Sequence, residues 1–154
     1  MEDKKEIIIP DDFTFNNIND NVITLKKKNE TKPIIKWNSE KDGVEVKADD
    51  YHFIVASMPT SISSNWNDAK YICEKWGGYL PIIEELFVMV KYIKEINQCF
   101  KDNGSPVCLL DMGDCYWSSS EFSSSYAHNV DGRNGYVNNY YKFDYAYVRA
   151  FLRA

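Results

Sequence analysis

The side chains best suited to contact chemistry lie in one C-terminal stretch, residues 117–152. From Phe122 to Tyr147 the sequence has no Leu, Ile, Met, Glu, Gln, Thr, Pro, Cys or Trp, and Tyr, Ser, Asn, Asp and Gly dominate it. Such a composition cannot fill a core, because the aliphatic residues are nearly missing. It is also too aromatic for a disordered tail. Tyr supplies rigid contact area, and Ser and Asn supply adaptable hydrogen bonds, so we predict an exposed binding face.

The candidate ligand-binding residues are the aromatic, charged and amide side chains of this stretch. They are Phe122, Tyr126, His128, Asp131, Arg133, Tyr136, Asn138, Tyr140, Tyr141, Phe143, Asp144, Tyr145 and Tyr147. We expect roughly a third of the aromatic rings to be structural, with hydroxyl partners inside the protein. The strongest of the others would each contribute about 2 kcal/mol or more to binding. The two aspartates and the arginine suit specificity better than affinity. Replacing Tyr136, Tyr140 or Tyr141 by Ala is expected to leave the melting temperature nearly unchanged.

No residue pattern in the chain indicates catalysis or a bound metal. Ser118, Ser119 and Ser120 stand beside Glu121, but the sequence places no His to act as their base, and serine runs commonly form caps and turns. The two histidines are isolated and no CxxC spacing is present, which argues against zinc. The four cysteines allow three disulfide connectivities, although buried or half-buried free thiols are the favoured interpretation. We therefore expect no enzyme activity, no cofactor and no metal.

Length and charge restrict the classes of partner. A chain of 154 residues suits one domain of ordinary size with a real core. The net charge of -5 argues against a nucleic-acid partner held by phosphate contacts. No apolar run approaches the roughly 20 residues that span a bilayer, so no membrane insertion is expected. The first residues do not have the pattern of a signal peptide. The chain is therefore expected to be either a cytosolic or virion product or a protein trimmed of its export signal, and the location suspected is a cell surface or a virion.

The elements that must position the stretch are read from periodicity and caps. We predict a helix over 66–76, capped by Ser64 or Asn65 and ended by Gly77-Gly78, and a second helix over 83–98. The spacing in the first helix predicts one buried stripe of Trp66, Ala69, Ile72, Cys73 and Trp76. A turn is predicted over 15–21. Strands are predicted over 7–9, 22–25, 34–37, 43–46, 51–56, 107–110, 115–117 and 148–152, with 51–56 central. This pattern indicates a mixed α+β domain over 36–154, preceded by an accessory segment, 1–35.

Four short motifs carry a resemblance to a known family. NWNDAK (65–70), GGYLPIIEEL (77–86), YWSSSE (116–121) and YVRAFLR (147–153) occur in the order and spacing of a bacterial domain family with the C-type-lectin fold. That family is known from the C-terminal domain of the Lcl adhesin and from gut-bacterial surface proteins. The likeness covers residues 43–153 and implies two helices packed on small mixed or antiparallel sheets with long C-terminal loops.

Within that fold family, the chain resembles the variable proteins of diversity-generating retroelements, in bacteria and phages. Retroelement mutagenesis changes adenines, so an Asn codon can become Tyr, Ser, Asp, His, Gly, Ala, Arg or Phe, the residues that crowd 122–147. The resemblance implies a constant frame of Trp117, Ser118 to Glu121, Ala127, Val130, Gly135, Val137, Lys142, Val148 and Arg149. Arg149 is expected to pair with a carboxylate such as Glu121.

The implied function is non-enzymatic recognition of a protein or glycan ligand on another cell or particle. One alternative is an undiversified surface adhesin domain of the same fold. A remote one is an oxidase of the formylglycine-generating type, for which Cys108 and Cys115 are the only nearby cysteine pair. The calcium-dependent sugar motifs of animal lectins are absent, so that mode of binding is not implied. The last strand also lacks the Cys of the lectin-type disulfide.

Overall fold

The computed structural model describes residues 13–19, 22–27, 32–103 and 106–154, in two compact units, Met1–Lys32 and Pro33–Ala154. In the first unit, β1 (Phe13–Asn19) pairs with antiparallel β2 (Val22–Lys27). The strand predicted at 22–25 is confirmed. The turn predicted over 15–21 is wrong as far as Asn19, because Phe13 and Phe15 already alternate with polar residues in a strand pattern. The strand predicted at 7–9 lies outside the described residues.

The second unit is a mixed α+β domain with three helices and two sheets among its described residues. The helices are α1 (Trp66–Lys75), α2 (Ile83–Lys91) and α3 (Ile93–Asp102). The strands are β3 (Ile34–Asn38), β4 (Gly43–Ala48), β5 (Tyr51–Ala56), β6 (Ser63–Ser64), β7 (Cys115–Glu121), β8 (Tyr126–Asp131), β9 (Val137–Tyr141), β10 (Ala146–Tyr147) and β11 (Phe151–Arg153). Ile34 and Ile35, assigned above to the N-terminal segment, lie in β3.

The four-stranded sheet has the order β11-β5-β4-β3 and is antiparallel throughout. The central position predicted for 51–56 is confirmed, since β5 is an inner strand and its residues from Phe53 to Ala56 are buried. The five-stranded sheet has the order β6-β10-β7-β8-β9. In it β10 runs parallel to β7, and β9 forms one edge.

Helix α1 begins at the predicted residue, Trp66, and ends at Lys75, one residue before the predicted end. The Asn65 side chain accepts a hydrogen bond from the Asp68 N–H at 2.9 Å, and Gly77 has a φ of 80°, a left-handed conformation that favours glycine. Trp66, Ala69 and Cys73 are buried as predicted. Trp76, predicted to belong to the same buried stripe, is instead exposed, because the helix has ended before it.

The helix predicted over 83–98 is two helices that meet at Tyr92. Helix α2 packs against β7 and β8, whereas α3 packs against β3 and β4. The break lets one continuous apolar stripe cover two different sheets. Leu86 and Met89 are buried in α2, and Ile93, Ile96 and Phe100 are buried in α3. None of the described helices is long and apolar enough to cross a membrane.

Two of the predicted strands differ in the structure. Residues 107–110 form a 3-10 turn (Pro106–Cys108) and irregular backbone. Side chains satisfy this backbone, since the Thr60 hydroxyl donates to the Val107 carbonyl and Asn97 hydrogen-bonds both the N–H and the C=O of Leu110. The strand predicted over 148–152 begins only at Phe151. The main-chain N–H of Val148 donates instead to the Ile62 carbonyl, so this part of the chain lies against the segment before β6.

Candidate functional site

Strand register divides the predicted binding stretch between two faces of the five-stranded sheet. Residues directly opposite each other on paired strands point to the same face, and successive residues alternate. The aromatic face carries Tyr116, Tyr126, His128, Val130, Val137, Asn139 and Tyr141. The polar face carries Cys115, Trp117, Ala127, Asn129, Asp131, Asn138 and Tyr140.

The aromatic face is covered at one end and open at the other. At the covered end Tyr116 and Val130 are buried in one hydrophobic cluster with Leu86 and Met89 of α2. At the open end the rings form two groups of contacts. Phe122 and His128 are a pair with a centroid distance of 5.6 Å, and Tyr141 contacts both Tyr126, at 5.8 Å, and Phe143, at 5.2 Å. We call these five residues the aromatic patch.

The aromatic patch is a surface feature, although its members touch one another. Phe122 is 60% exposed and Phe143 is 68% exposed, while Tyr126 and Tyr141 are also exposed and His128 is half-buried. These residues share edge-to-face or tilted ring contacts of the kind that favours aromatic pairs. The structure therefore brings five of the predicted site residues together on one open surface.

Asp131, Arg133, Tyr136, Asn138 and Tyr140 lie on or beside the polar face. Arg133 holds the buried Asp131 carboxylate with two side-chain hydrogen bonds, of 2.8 Å and 3.1 Å, and these bonds lower the pKa of Asp131. Tyr136 follows the same turn and is 70% exposed. The polar face thus presents an ion pair and one exposed ring at this end of β8 and β9.

Tyr140 is anchored in the scaffold. Its ring packs edge-on against Trp117 at 6.0 Å, and its hydroxyl donates to the Cys115 Sγ at 3.5 Å. This hydrogen bond, with burial, raises the pKa of Tyr140 to about 12. The Asn138 amide also donates to the Cys115 Sγ, at 3.7 Å. Tyr140 therefore differs from Tyr136, although the two were predicted to be equally dispensable.

The remaining predicted residues, Asp144, Tyr145 and Tyr147, do not form one group. Asp144 and Tyr145 follow β9 and are exposed. Tyr147 packs against Tyr116 at 5.7 Å, and its hydroxyl donates to the Asp111 Oδ2 at 3.1 Å. Tyr140 and Tyr147 are thus structural rings with hydroxyl partners inside the protein, of the kind expected for roughly a third of the aromatic residues.

Sequence reasoning missed two residues of the polar face. Cys115 accepts the hydrogen bonds just described and is buried. Asn129 is fully buried, and its side-chain amide has no hydrogen-bond partner among the described residues. Its position two residues from both Ala127 and Asp131 on one strand was the available signal, because that spacing places it on their face.

Lys142 links the segments that carry the aromatic patch to the start of α1. Its Nζ donates to the Glu121 Oε2 at 2.8 Å and to the Ser124 carbonyl at 3.0 Å, and it lies 4.5 Å from the Trp66 ring centre. The Lys142 carbonyl accepts a hydrogen bond from the main-chain N–H of Trp66 at 3.0 Å. The main-chain N–H of Lys142 donates to the Ser125 carbonyl at 2.8 Å. The segment before β8, the end of β9 and the start of α1 are therefore held together at one point.

The pairing predicted between Arg149 and a carboxylate such as Glu121 is wrong. Glu121 pairs with Lys142, and this hydrogen bond lowers the pKa of Glu121. Arg149 is only 2% exposed and donates from Nη1 to the Ala56 carbonyl at 2.8 Å, with its guanidinium 5.8 Å from the Phe100 ring centre. Burial lowers the pKa of Arg149 to about 10. Arg149 is thus a scaffold residue held by one backbone hydrogen bond and a ring contact, while its buried Nε has no hydrogen-bond partner among the described residues.

The serine run contacts the scaffold. The Ser118 hydroxyl donates to the His128 carbonyl at 2.8 Å, so the hydroxyl is hydrogen-bonded to the backbone.

All four cysteines are free, with Cys99 half-buried and Cys73, Cys108 and Cys115 buried. The interpretation of the cysteines as buried or half-buried free thiols is therefore confirmed. Cys108 belongs to the cluster beneath α3, whereas Cys115 lies on the polar face. Burial raises the pKa of both thiols. Among the described residues no three His, Cys, Asp or Glu side chains converge as metal ligands.

A separate concavity lies beyond the end of α1. It is lined by Glu40, Lys41, Trp76, Gly77, Gly78, Tyr79, Leu152 and Arg153, and it contains none of the predicted site residues. The aromatic patch instead lies on an open surface at β8 and β9. No protein-family model matches this sequence, and a comparison with curated proteins finds no match.

Proposed function

We propose that this chain is a non-enzymatic binding protein whose aromatic patch contacts a protein or glycan on another cell or particle. The observation that carries the proposal is the patch itself, a pair and a trio of touching rings, four of the five residues exposed, at the open end of one sheet. Contiguous exposed aromatic surface is uncommon on monomeric proteins and marks interaction sites. Its composition of Tyr, Phe and His also suits recognition, since aromatic side chains dominate binding energies at protein surfaces.

The scaffold beneath the patch supports this proposal through its rigidity. Trp117, Ala127, Val130 and Val148 are buried, and the Lys142 contacts fix the loop that carries Phe122. Rings held in place before binding lose little conformational entropy when a ligand arrives. The patch therefore needs no rearrangement to act as a contact surface.

We further propose a C-type-lectin-like fold diversified in the manner of a retroelement variable protein. The mixed α+β architecture is compatible with that fold. Support comes also from how exposure is distributed: most residues of the expected constant frame are buried or hydrogen-bonded, whereas Phe122, Tyr126, Tyr136, Tyr141 and Phe143 are exposed. A chain whose contact residues vary needs this separation, because substitutions at exposed positions leave the core intact. An undiversified surface adhesin domain is the alternative.

The encoding DNA distinguishes diversification from the adhesin alternative. The proposal expects a nearby reverse-transcriptase gene and an imperfect repeat of the 3′ end of the coding sequence. Mismatches should fall at adenines of the repeat, in codons for exposed residues such as Tyr126, Tyr136 and Tyr141. Codons for Trp117 and Lys142 should match. If sequencing of the genomic neighbourhood finds no such repeat, only the adhesin interpretation remains.

Binding itself is tested with a glycan array and a displayed library of random linear peptides. A ligand selected on the wild-type protein should bind the Tyr126→Ala/Tyr141→Ala variant at least about 30-fold more weakly, as expected from the loss of about 2 kcal/mol at a contact hot spot. Tyr71→Ala is the matched control, because Tyr71 is 57% exposed but lies on α1. Ligands that bind the double variant as well as the wild type would contradict the proposal.

A further inference from the structure

Strand β9 is an edge strand whose outer side carries free main-chain groups. Its register with β8 pairs Val137 with Val130 and Tyr141 with Tyr126. The Asp131 N–H donates to the Tyr136 carbonyl at 2.9 Å, and the Lys142 N–H donates to the Ser125 carbonyl at 2.8 Å. The main-chain groups of even-numbered residues therefore face β8, and those of Val137, Asn139 and Tyr141 face away from the sheet.

These outward groups have almost no partners within the described part of the chain. The Tyr141 carbonyl accepts from the Asp144 N–H at 2.8 Å. The N–H and C=O groups of Val137 and Asn139 and the N–H of Tyr141 remain without a partner there. Their alternation along the strand is the hydrogen-bonding pattern that an added antiparallel or parallel strand would complete.

This edge also lacks the features that normally protect a sheet from strand addition. Native edges are blunted by Lys, Pro, bulges or very short strands. The edge strand β3 of the other sheet follows Pro33 and carries Lys36, and β6 at the opposite edge of the five-stranded sheet has only two residues. Strand β9 has five residues, VNNYY, without a charge or a proline, and its pairing with β8 has no bulge.

We propose that β9 receives an extended peptide segment of a partner protein as an additional strand of the sheet. This inference rests on the proposed binding function and deepens it, since it names a polypeptide rather than a glycan as the ligand. Main-chain hydrogen bonds supply affinity in such complexes, and alternate side chains supply specificity. On one face the added strand extends the side of the sheet that carries Val137 and Tyr141, next to the aromatic patch. On the other face it lies beside Tyr136 and Tyr140.

Charge defines the peptide further. The protein has a net charge of -5, and the exposed Asp144 at the end of β9 has no salt bridge with the described residues. By contrast, the Asp131 and Glu121 carboxylates are paired with Arg133 and Lys142. The edge itself is neutral. A peptide with apolar residues in alternation and a Lys or Arg near the Tyr141 end complements this surface.

Amide hydrogen exchange tests the register directly, with a peptide selected from the displayed random library as probe. In the free protein the amides of Val137, Asn139 and Tyr141 should exchange quickly, whereas those of Asn138 and Tyr140 should be protected. With the peptide bound, Val137, Asn139 and Tyr141 should become protected as well. Protection that does not change at these three amides in a peptide-bound sample would overturn strand addition.

Asn139→Pro removes an outward N–H without removing a hydrogen bond to β8, a position where edge strands tolerate proline. It should weaken peptide binding about tenfold or more, equivalent to the loss of at least one main-chain hydrogen bond. Asn139→Ala, which keeps the N–H, should bind within about threefold of wild type by the same reasoning. Equal binding by the proline variant, shown by its melting curve to be folded, would refute the inference.

Failure of this inference is distinguishable from failure of the proposed function. Glycan ligands that lose affinity with Tyr126→Ala/Tyr141→Ala but not with Asn139→Pro would uphold the proposed function and overturn strand addition. Absence of any ligand that depends on the patch would overturn both. Sedimentation of the free protein gives one more outcome: a dimer that Asn139→Pro converts to monomer would assign the edge to a second copy of the chain instead.

Discussion

Tyrosines that share one sequence context divide into exposed residues and scaffold residues. Tyr136 and Tyr140 both lie in the stretch from which aliphatic residues are absent, yet Tyr136 projects from a turn and Tyr140 rests on Trp117. The difference arises from strand register and from which neighbour lies opposite, because Tyr140 pairs with the small, buried Ala127 and so has room to pack inward. Residue type predicted an exposed surface, and the register and the neighbouring side chains decide which residues belong to it.

Paired alanine substitutions test this division. Tyr136→Ala should change the free energy of unfolding by less than about 0.5 kcal/mol, because an exposed ring loses few contacts. Tyr140→Ala should lower it by about 1–2 kcal/mol, since it removes the edge-on contact with Trp117 and the hydrogen bond to Cys115. The expected fall in melting temperature is about 2–4 °C for each kcal/mol.

Tyr140→Phe is the control in that experiment, measured by thermal and urea unfolding. It retains the ring and removes only the hydroxyl, so its loss should be smaller than that of Tyr140→Ala. Identical stabilities for Tyr136→Ala and Tyr140→Ala would return Tyr140 to the set of free contact residues.

Elements were predictable where local chemistry determines them and unpredictable where tertiary packing does. The boundaries of α1 followed from Asn65 and Gly77, whose capping chemistry is local. The break at Tyr92 was not foreseen, because the apolar spacing continues through it and only the choice between two sheets interrupts the helix. The pairing of Lys142 rather than Arg149 with Glu121 was missed for the same reason, since it depends on which cation the fold buries.

The two glycines after α1 give a prediction about how that helix ends. Gly77 has a φ of 80° and open space around the position of an added Cβ, so Gly77→Ala introduces only backbone strain, costing about 1 kcal/mol. At Gly78 an added Cβ would collide with the Phe151 carbonyl, where Tyr79 bridges to the last strand. Gly78→Ala should therefore cost more, about 2 kcal/mol or above.

Urea unfolding of the two variants, with Lys75→Ala as a helix control, measures the difference. Helix content should remain in the Gly77 variant, because the strain lies outside α1. If the Gly78 variant is as stable as wild type, the close approach of the helix end to β11 is not what fixes this junction.

At the scale of the larger unit, the proposed contact surface and the core occupy different parts of one sheet. The covered end of the aromatic face joins the core under α2, and the open end carries the exposed rings of Phe122, Tyr126, Tyr141 and Phe143. The composition of residues 117–152 predicted that such a division exists. It could not locate the boundary, because Asp131, Asn138 and Tyr147 are of the same residue types as their exposed neighbours. Asp131 is nevertheless buried, and Asn138 and Tyr147 contact the buried Cys115 and Tyr116.

Two displayed libraries test this separation across the molecule. Both libraries introduce the residues that an Asn codon can become when its adenines change (Tyr, Ser, Asp, His, Gly, Ala, Arg and Phe). The first library varies Phe122, Tyr126, Tyr136, Tyr141 and Phe143, and the second varies Trp117, Ala127, Val130 and Val148. A protease challenge followed by sequencing should recover most members of the first library. It should deplete most members of the second, since a polar or mismatched residue in the core costs about 2–5 kcal/mol of a total stability near 5–15 kcal/mol. Randomising Tyr71, exposed on α1, calibrates the recovery of a neutral position. Equal depletion of both libraries would mean that the aromatic patch holds the fold together, and the proposed binding function would then lose its physical basis.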